Sequence, residues 1–148
     1  MYVTVECNPK SYEYYLSPVF ATFPTLQESL ERDFKAYKET GLLPDYFGRD
    51  TAYDKPDDIQ DSGLWHIHLA IGEDKFSKPP VSADLEDPRV VQWYRTSDTA
   101  LVYAKGLVDE NSYSLIAVFT PSAHWKARDF DRMRILAGYA REFSQKIE

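Results

Sequence analysis

Three histidines are the only side chains of this sequence whose ordinary pKa lies close to pH 7, and one isoleucine separates two of them, His66 and His68. If residues 64–71 form a β-strand, both histidines point to one face, because successive side chains of a strand alternate. The third, His124, follows an apolar, strand-like segment. An imidazole can move a proton or bind a metal ion, so this pair is the first candidate for chemistry.

The elements that would position these histidines follow from hydrophobic periodicity. Apolar residues spaced four, four and three apart predict a helix over Leu26–Thr40. Thr25 and Glu28 fit a capping box at its start, and Gly41 is a typical residue for its end. A second helix is predicted over residues 126–146, where apolar side chains fall on one arc.

Alternating or continuous apolar runs predict the strands. These runs cover residues 2–7, 12–20, 64–71, 90–94, 100–105 and 113–119. Residues 41–62 and 73–88 are rich in proline and acidic side chains, and they are predicted to be loops. Short neighbouring strands with separate helices favour an α+β fold with a mostly antiparallel sheet.

Length and composition limit the class of protein. A chain of 148 residues forms one domain and can bury about 68–70% of its unfolded surface. The single cysteine, Cys7, cannot form an internal disulfide, which fits a reducing cytosol. No apolar run approaches the roughly 18 residues that span a membrane, and the first residues lack a secretory signal. We therefore expect a cytoplasmic protein with no membrane partner.

The charge distribution bears on possible nucleic-acid partners. The net charge of −7 argues against a protein that coats nucleic acid non-specifically, because such binding depends on cationic contacts with phosphates. Residues 121–148 differ, since they carry six basic and four acidic side chains. This segment predicts either a locally basic binding surface or an ordinary solvated helix face.

A set of segments, taken in order, resembles the YafO family of type II toxins over about residues 34–148. The segments are Tyr37-Lys38 with Gly41, Leu43-Pro44-Asp45, Phe47-Gly48-Arg49-Asp50, Tyr53-Asp54, His66-Ile67-His68-Leu69-Ala70, Arg95-Thr96 with Asp98, Leu101-Val102-Tyr103, Leu115-Ile116-Ala117, Pro121, His124 and Ala127-Arg128-Asp129. More distantly, an arginine before one strand and a histidine–aromatic pair after a later one is similar to the RelE/YoeB-like pattern.

The resemblance implies a small, curved, mostly antiparallel sheet packed against a helix of the N-terminal half and a C-terminal helix. It implies an endoribonuclease toxin, an mRNA interferase, that cuts translated mRNA on the ribosome and is restrained by a cognate antitoxin. It also divides the single domain, 1–148, into a variable N-terminal extension, 1–24, and a family-like core, 25–148. The acidic net charge departs from the basic character usual in toxins that dock on ribosomal RNA.

Metal-independent RNA cleavage needs a base, an acid and a cation for the phosphate, and no cofactor. Histidine suits both proton transfers, and arginine suits the phosphate because its planar fork can bond two oxygens. We expect His124 and either His66 or His68 to transfer protons, and Arg95 to clamp the scissile phosphate. The expected supporting residues are Arg128 beside the phosphate, Tyr103 and Trp125 for base stacking, Asp129 to orient an imidazole, and Arg49 to face RNA.

Alternatives stay open at this stage. The same scaffold could be a non-catalytic binding module that uses the His66/His68 face, or a metal-dependent enzyme with these two residues as ligands. Arg95 could simply pair with Asp98, and Asp129 could serve a helix N-terminus. Tyr103 could belong to the core, and Arg49 could contact Asp50 within a turn. Exposed strand edges could also pair with the antitoxin or with a second copy of the chain.

Overall fold

The computed structural model describes residues 2–146 and confirms the predicted α+β class. Met1 and residues 147–148, which the predicted domain includes, lie outside the described residues. The strands are β1 (Thr4–Cys7), β2 (Phe47–Ala52), β3 (Leu64–Leu69), β4 (Ala100–Lys105) and β5 (Ser112–Phe119). The helices are α1 (Ser17–Thr22), α2 (Leu26–Thr40), α3 (Pro88–Tyr94), α4 (Ala123–Ala127) and α5 (Phe130–Ser144).

The five strands form one sheet in the order β1-β5-β4-β3-β2. Only the β1–β5 pair is parallel, and the other three pairs are antiparallel. In this register His66 of β3 lies opposite Val102 of β4 on one side and Thr51 of β2 on the other. The histidine strand is therefore held by hydrogen-bonded neighbours along both edges, which makes it a rigid support.

Helices cover both faces of the sheet, and each face has its own core. Leu30 and Phe34 of α2 pack on the face that carries Ile67 and Leu69. On the other face, α5 packs against Leu64 and the strands β4 and β5. The apolar residues of α5 in this second core are Met133, Leu136, Ala137 and Ala140. Strands β4 and β5 read as nearly continuous apolar runs because they are buried on both faces.

The predicted helix over Leu26–Thr40 is confirmed at both ends, but its start lacks the expected cap. Gly41 follows the last residue with a φ of 76°, a left-handed conformation that suits glycine, and its N–H donates to the Tyr37 carbonyl. Thr25 is the N-cap residue, yet its side chain accepts no capping hydrogen bond. The predicted capping box is therefore wrong.

The strand predictions for residues 12–20 and 90–94 are wrong, because both segments are helical. Tyr12–Leu16 forms a π-helical turn that leads into α1, and Pro18 occupies the first turn of α1, where a missing N–H costs nothing. In α3, the Asp87 side chain accepts from the N–H of Arg89, with Pro88 at the first position. This Asp-Pro start is a helix signal that outweighs the short apolar pattern.

Two further predictions are corrected. Residues 41–62, predicted as a loop with room for a short turn of helix, contain the 3₁₀ turn Asp57–Ile59 and also the strand β2, which the sequence does not predict. Strand β2 lies at the edge of the sheet and is rich in polar residues, so its sequence lacks the apolar alternation that predicts a strand. The single helix predicted over residues 126–146 is two helices, because Asp129 accepts from the N–H of Arg132 and caps a new helix, α5.

Residues 2–24, the described part of the predicted N-terminal extension, contribute to the fold. Strand β1 pairs along β5, with Val5 beside Tyr113. Leu16 and Phe20 belong to the core beneath α2. No helix among residues 2–146 has the length and apolar character needed to cross a membrane.

Candidate active site

The three histidines converge on one cavity of about 310 Å³ at the α5 face of the sheet. The ring centroids of His66 and His68 lie 5.5 Å apart, and those of His68 and His124 lie 6.1 Å apart. Strand alternation explains why the first two share this face, while Ile67 between them points into the opposite core. The other lining residues are Tyr53, Asp54, Lys55, Ala100, Ala123, Ala127, Arg128 and Phe130.

His124 is held in place by Asp98. After β5 the chain turns at Ser122, whose φ of 66° is left-handed, and α4 begins. Oδ1 of Asp98 then accepts from the backbone N–H of His124 at 3.1 Å and lies 3.2 Å from its Nδ1. These donors hold the pKa of Asp98 below its usual value, with the backbone N–H as the largest cause. Since the carboxylate can only accept, this contact favours the tautomer with the proton on Nδ1, in which Nε2 can accept a hydrogen bond.

His68 is 6% exposed and is held by the backbone of Ser97. The N–H of Ser97 lies 2.9 Å from Nδ1 and the carbonyl oxygen of the same residue lies 2.8 Å from it. A neutral Nδ1 can accept from the N–H, and a protonated Nδ1 can donate to the carbonyl. Burial is the largest effect and lowers the pKa of His68, while the Ser97 backbone acts in the opposite direction. The ring thus keeps a partner in either charge state.

His66 is the histidine least suited to carry a charge. Its ring stacks on Tyr53, with 4.0 Å between the centroids and 12° between the planes. Its Nδ1 is buried and has no hydrogen-bond partner. Burial, followed by the proximity of His68, lowers the pKa of His66 to about 3. The imidazole is therefore neutral near pH 7, and proton transfer in that range falls to the other two histidines.

Arg128, Trp125 and Phe130 form an exposed border beside His124. Arg128 lines the cavity, and its guanidinium carbon lies 5.7 Å from the centroid of the Trp125 ring. Trp125 is 72% exposed, so most of its surface is open to a ligand. Arg128 forms no ion pair with any residue between 2 and 146, which leaves its fork available for a phosphate.

Arg95 is not brought to the histidine cavity. One terminal nitrogen of its guanidinium lies 3.2 to 3.4 Å from the backbone carbonyls of Pro44, Asp45 and Phe47. The guanidinium therefore ties together the loop before β2. The alternative pairing of Arg95 with Asp98 is also absent, because that carboxylate holds His124.

Arg49 is the cation whose charge reaches the two strand histidines from the β2 side. It contributes to the lowered pKa of both His66 and His68, after burial and the neighbouring imidazoles. Its Nε donates to the carbonyl of Trp93 at 2.7 Å. The turn contact with Asp50 is not formed, since that carboxylate points into the opposite core.

Tyr103 lies on the other face of the sheet and is a core residue. Its hydroxyl donates to Asp50 at 2.6 Å, and Lys38 and Tyr37 also donate to this carboxylate. Burial, followed by the charge of Asp50, raises the pKa of Tyr103. Because its ring is buried beside Phe34, it offers no surface on which an RNA base could stack.

Asp129 does not orient an imidazole. Its carboxylate accepts from the backbone N–H of Arg132 at 3.2 Å and caps α5, as the helix-terminus alternative predicted. Asp98 does what was expected of Asp129. The sequence contains no local signal for this, because Asp98 and His124 are 26 positions apart and meet only through the turn after β5. Ser97 and Tyr53 were missed for the same reason.

A metal site at His66 and His68 would need at least one further ligand. Within residues 2–146, no group of three or more His, Cys, Asp or Glu side chains is arranged so that it could hold a metal ion.

Comparison with known proteins identifies the family. The sequence profile described as "Toxin YafO, type II toxin-antitoxin system" matches residues 35–145, about three quarters of the chain. This chain belongs to the YafO toxin family. The matched range contains every residue that lines the histidine cavity, together with Asp98.

A curated YafO relative supports this membership. The chain is 36% identical over 130 residues to the "mRNA interferase toxin YafO" of Escherichia coli strain K12, covering 81% of this chain and 86% of the relative. No solved structure matches the chain. YafO family membership therefore rests on sequence, and the geometry of the site comes from the fold described above.

Proposed function

We propose that this chain is an mRNA-cleaving toxin whose active site is the cavity shared by His66, His68 and His124. Family membership and the name of the E. coli relative support the activity. The observation that carries the proposal is the convergence of His68 and His124, whose ring centroids lie 6.1 Å apart. Rings this close can face one phosphodiester, with the RNA 2′-hydroxyl donating to His124 and His68 donating to the 5′-oxygen.

His124 acts as the base. Asp98 fixes Nδ1–H, so the free Nε2 accepts the proton of the RNA 2′-hydroxyl. The 2′-oxygen attacks the adjacent phosphorus, and a new P–O2′ bond forms. The exposure of His124, 66% of its side chain, allows a ribose to reach it without any rearrangement of the core.

His68 acts as the acid. The negative charge of a bound phosphate favours the protonated ring and opposes the effect of burial. The Ser97 carbonyl, 2.8 Å from Nδ1, stabilises that charged form. The Nε2 proton then passes to the 5′-oxygen as the P–O5′ bond breaks, and Nδ1–H remains bonded to the carbonyl. The products are a 2′,3′-cyclic phosphate and a free 5′-hydroxyl.

The surrounding residues bind and position the RNA. Arg128 is the phosphate cation, in place of Arg95, because it lines the cavity and has no carboxylate partner in the described chain. Trp125 offers an exposed ring for a base next to the cleaved bond. His66 stays neutral and, stacked on Tyr53, forms the floor beneath His68.

Membership of a type II toxin–antitoxin family supports the following biological setting. An antitoxin partner restrains the toxin, and the mRNA substrate is engaged on the ribosome. Ribosome dependence also accommodates the net charge of −7, because the ribosome rather than a basic protein surface then presents the mRNA. Since translation takes place in the cytoplasm, this proposal locates the protein there.

The chemistry of the RNA ends tests the proposal. Purified protein is added to a reconstituted translation reaction with one defined mRNA, and the new ends are mapped. Attack by the 2′-hydroxyl gives a 2′,3′-cyclic phosphate and a 5′-hydroxyl, whereas hydrolysis by a metal-activated water leaves no cyclic phosphate. A 2′-deoxy substitution at the mapped cut site should abolish cleavage there.

Arg32→Ala is the matched control for Arg128→Ala, because Arg32 is also exposed but lies on α2, away from the cavity. Arg128→Ala should slow cleavage, and Arg32→Ala should leave it unchanged. Cleavage that survives the 2′-deoxy substitution, or the loss of both His68 and His124, would contradict the proposed mechanism.

A further inference from the structure

A second Arg–Trp pair lies outside the histidine cavity, at the edge of the sheet. The guanidinium carbon of Arg49 is 3.9 Å from the centroid of the Trp93 ring, closer than the 5.7 Å between Arg128 and Trp125. Trp93 is 50% exposed. Together with Gln92, the pair lines a groove of about 210 Å³ between β2 and α3.

The backbone fixes Arg49 and leaves its charged end free. Its N–H donates to the carbonyl of Arg95 at 2.9 Å, and its Nε donates to the carbonyl of Trp93 at 2.7 Å. Its two terminal nitrogens have no hydrogen-bond or ion-pair partner within residues 2–146. A planar cation held in this way is ready to bind a phosphate or to stack on a base.

Gln92 adds a hydrogen-bonding group to the groove. Its Nε2 donates to the hydroxyl of Tyr37 at 2.9 Å and to the carbonyl of Gly48 at 3.0 Å. Both donors are therefore used, and the orientation of the amide is fixed. The Oε1 atom accepts no hydrogen bond from the described residues, so it can receive one from a ligand.

The charge of the groove is positive although the chain as a whole is acidic. Asp50 lines the groove, but its carboxylate is occupied by Lys38 and two tyrosines. Arg89 is paired with Asp87. Arg49 is thus the uncompensated cation. In the pairing of β2 with β3, Phe47 lies opposite Leu69 and Asp50 opposite Ile67, so Arg49 belongs to the stretch of β2 that runs beside His68.

We propose that the groove formed by Arg49, Gln92 and Trp93 binds a nucleobase of the single-stranded RNA next to the cleaved phosphodiester. The inference rests on the proposed function and adds a subsite to it. The base stacks on the exposed part of the Trp93 ring, and a donor on its edge meets Oε1 of Gln92. Arg49 binds the phosphate that joins this nucleotide to the cavity.

Binding and cleavage are measured separately. Binding is followed by anisotropy of a labelled, mixed-sequence single-stranded RNA, with the full-length chain carrying His124→Ala to prevent turnover. Trp93→Ala should weaken binding about 5- to 100-fold, as expected for the loss of one stacked base. Trp93→Phe keeps a ring and should retain most of the affinity. Tyr14→Ala removes an exposed aromatic ring that lines none of these cavities and should change nothing.

Cleavage of a translated mRNA by chains that retain His124 gives the second measurement. Trp93→Ala should broaden the base preference at one position near the cut. Unchanged affinity and preference would overturn the subsite, as would absence of RNA binding by the parent chain. RNA affinity that survives while antitoxin binding is lost would assign the groove to the antitoxin and also overturn it. If Trp93 supports RNA binding but no cyclic phosphate forms, the subsite stands and the proposed function fails.

Discussion

The two faces of the sheet each carry a polar cluster, and the clusters differ in how well their atoms are paired. On the α2 face, the carboxylate of Asp50 accepts from Tyr37 at 2.9 Å and from Tyr103 at 2.6 Å, and Lys38 lies 3.3 Å away. On the α5 face, Nδ1 of His66 is buried without a partner, and His124 stands exposed. Buried polar groups are normally paired. The histidine cluster, which contains this unpaired atom, is therefore the one to associate with function.

This comparison assigns different consequences to mutations on each face. A change in the closed Asp50 cluster should lower stability far more than it lowers the activity of the chains that remain folded. A change at the exposed His124 should lower activity and leave stability nearly intact. Changes at four residues test this difference between the two faces, and the expected effect decreases in the order His124, Asp50, Asp98, His66.

The largest effect is expected for His124→Ala. Loss of the proposed base should lower the rate of mRNA cleavage about 10²- to 10⁴-fold. The melting temperature should hardly change, because the side chain is exposed. Cleavage is measured in a translation reaction, and melting by circular dichroism. Full activity in this variant would remove the α5 face from the mechanism.

Asp50→Ala tests the opposite face. It leaves Lys38 and two tyrosine hydroxyls without their acceptor, which should cost about 3–5 kcal/mol of the free energy of unfolding. Urea unfolding measures this. Glu142→Ala is the control, since it breaks only the exposed pair with Lys10 and should cost less than about 1 kcal/mol. A stable Asp50→Ala variant with no activity would reverse the assignment of the two faces.

Asp98→Asn should have an intermediate effect on activity. An amide can still contact Nδ1, but it no longer fixes the tautomer that leaves Nε2 free. We expect the cleavage rate to fall about 10- to 100-fold, less than when the imidazole itself is lost. Asp98→Asn combined with His124→Ala should be no worse than His124→Ala alone. Additive losses would show that Asp98 acts independently of His124.

The smallest effect concerns His66 and pH. Its pKa is about 3 in the fold and about 6.5 when unfolded. Between these values the unfolded chain binds a proton that the folded chain excludes, so stability falls as pH decreases below 6.5. The cost is about 2 kcal/mol at pH 5. His66→Phe keeps a ring against Tyr53 and should flatten the decline measured between pH 7 and 5.

The sequence predicts the histidine face correctly because strand alternation is a local property. Residues two apart in a strand share one face, so His66 and His68 lie together in Leu64–Leu69 regardless of which strands pair with β3. The helix Leu26–Thr40 is predicted for a similar reason, since its apolar period and Gly41 lie within one segment. The family resemblance adds His124 to the candidate site, although no local sequence pattern predicts that it lies in the same cavity as His66 and His68.

Failures arise where the outcome depends on distant contacts. Arg95 and Arg49 are both arginines near a strand, and only the fold decides that Arg95 bonds the loop before β2 while Arg49 packs on Trp93 of α3. Tyr103 and Trp125 are both aromatic, and only the sheet register buries the first. The position of Asp129 near the start of the last helix suggests that it could orient an imidazole, whereas the fold brings Asp98 to His124 instead.

Two consecutive residues, Ser97 and Asp98, hold the two imidazoles to which proton transfer is assigned. A planar peptide unit fixes neighbouring Cα atoms about 3.8 Å apart. One peptide unit therefore limits how far the proton donor, His68, can move from the proton acceptor, His124. Inserting one glycine between Ser97 and Asp98 would keep every reactive group and change only the separation between the two imidazoles.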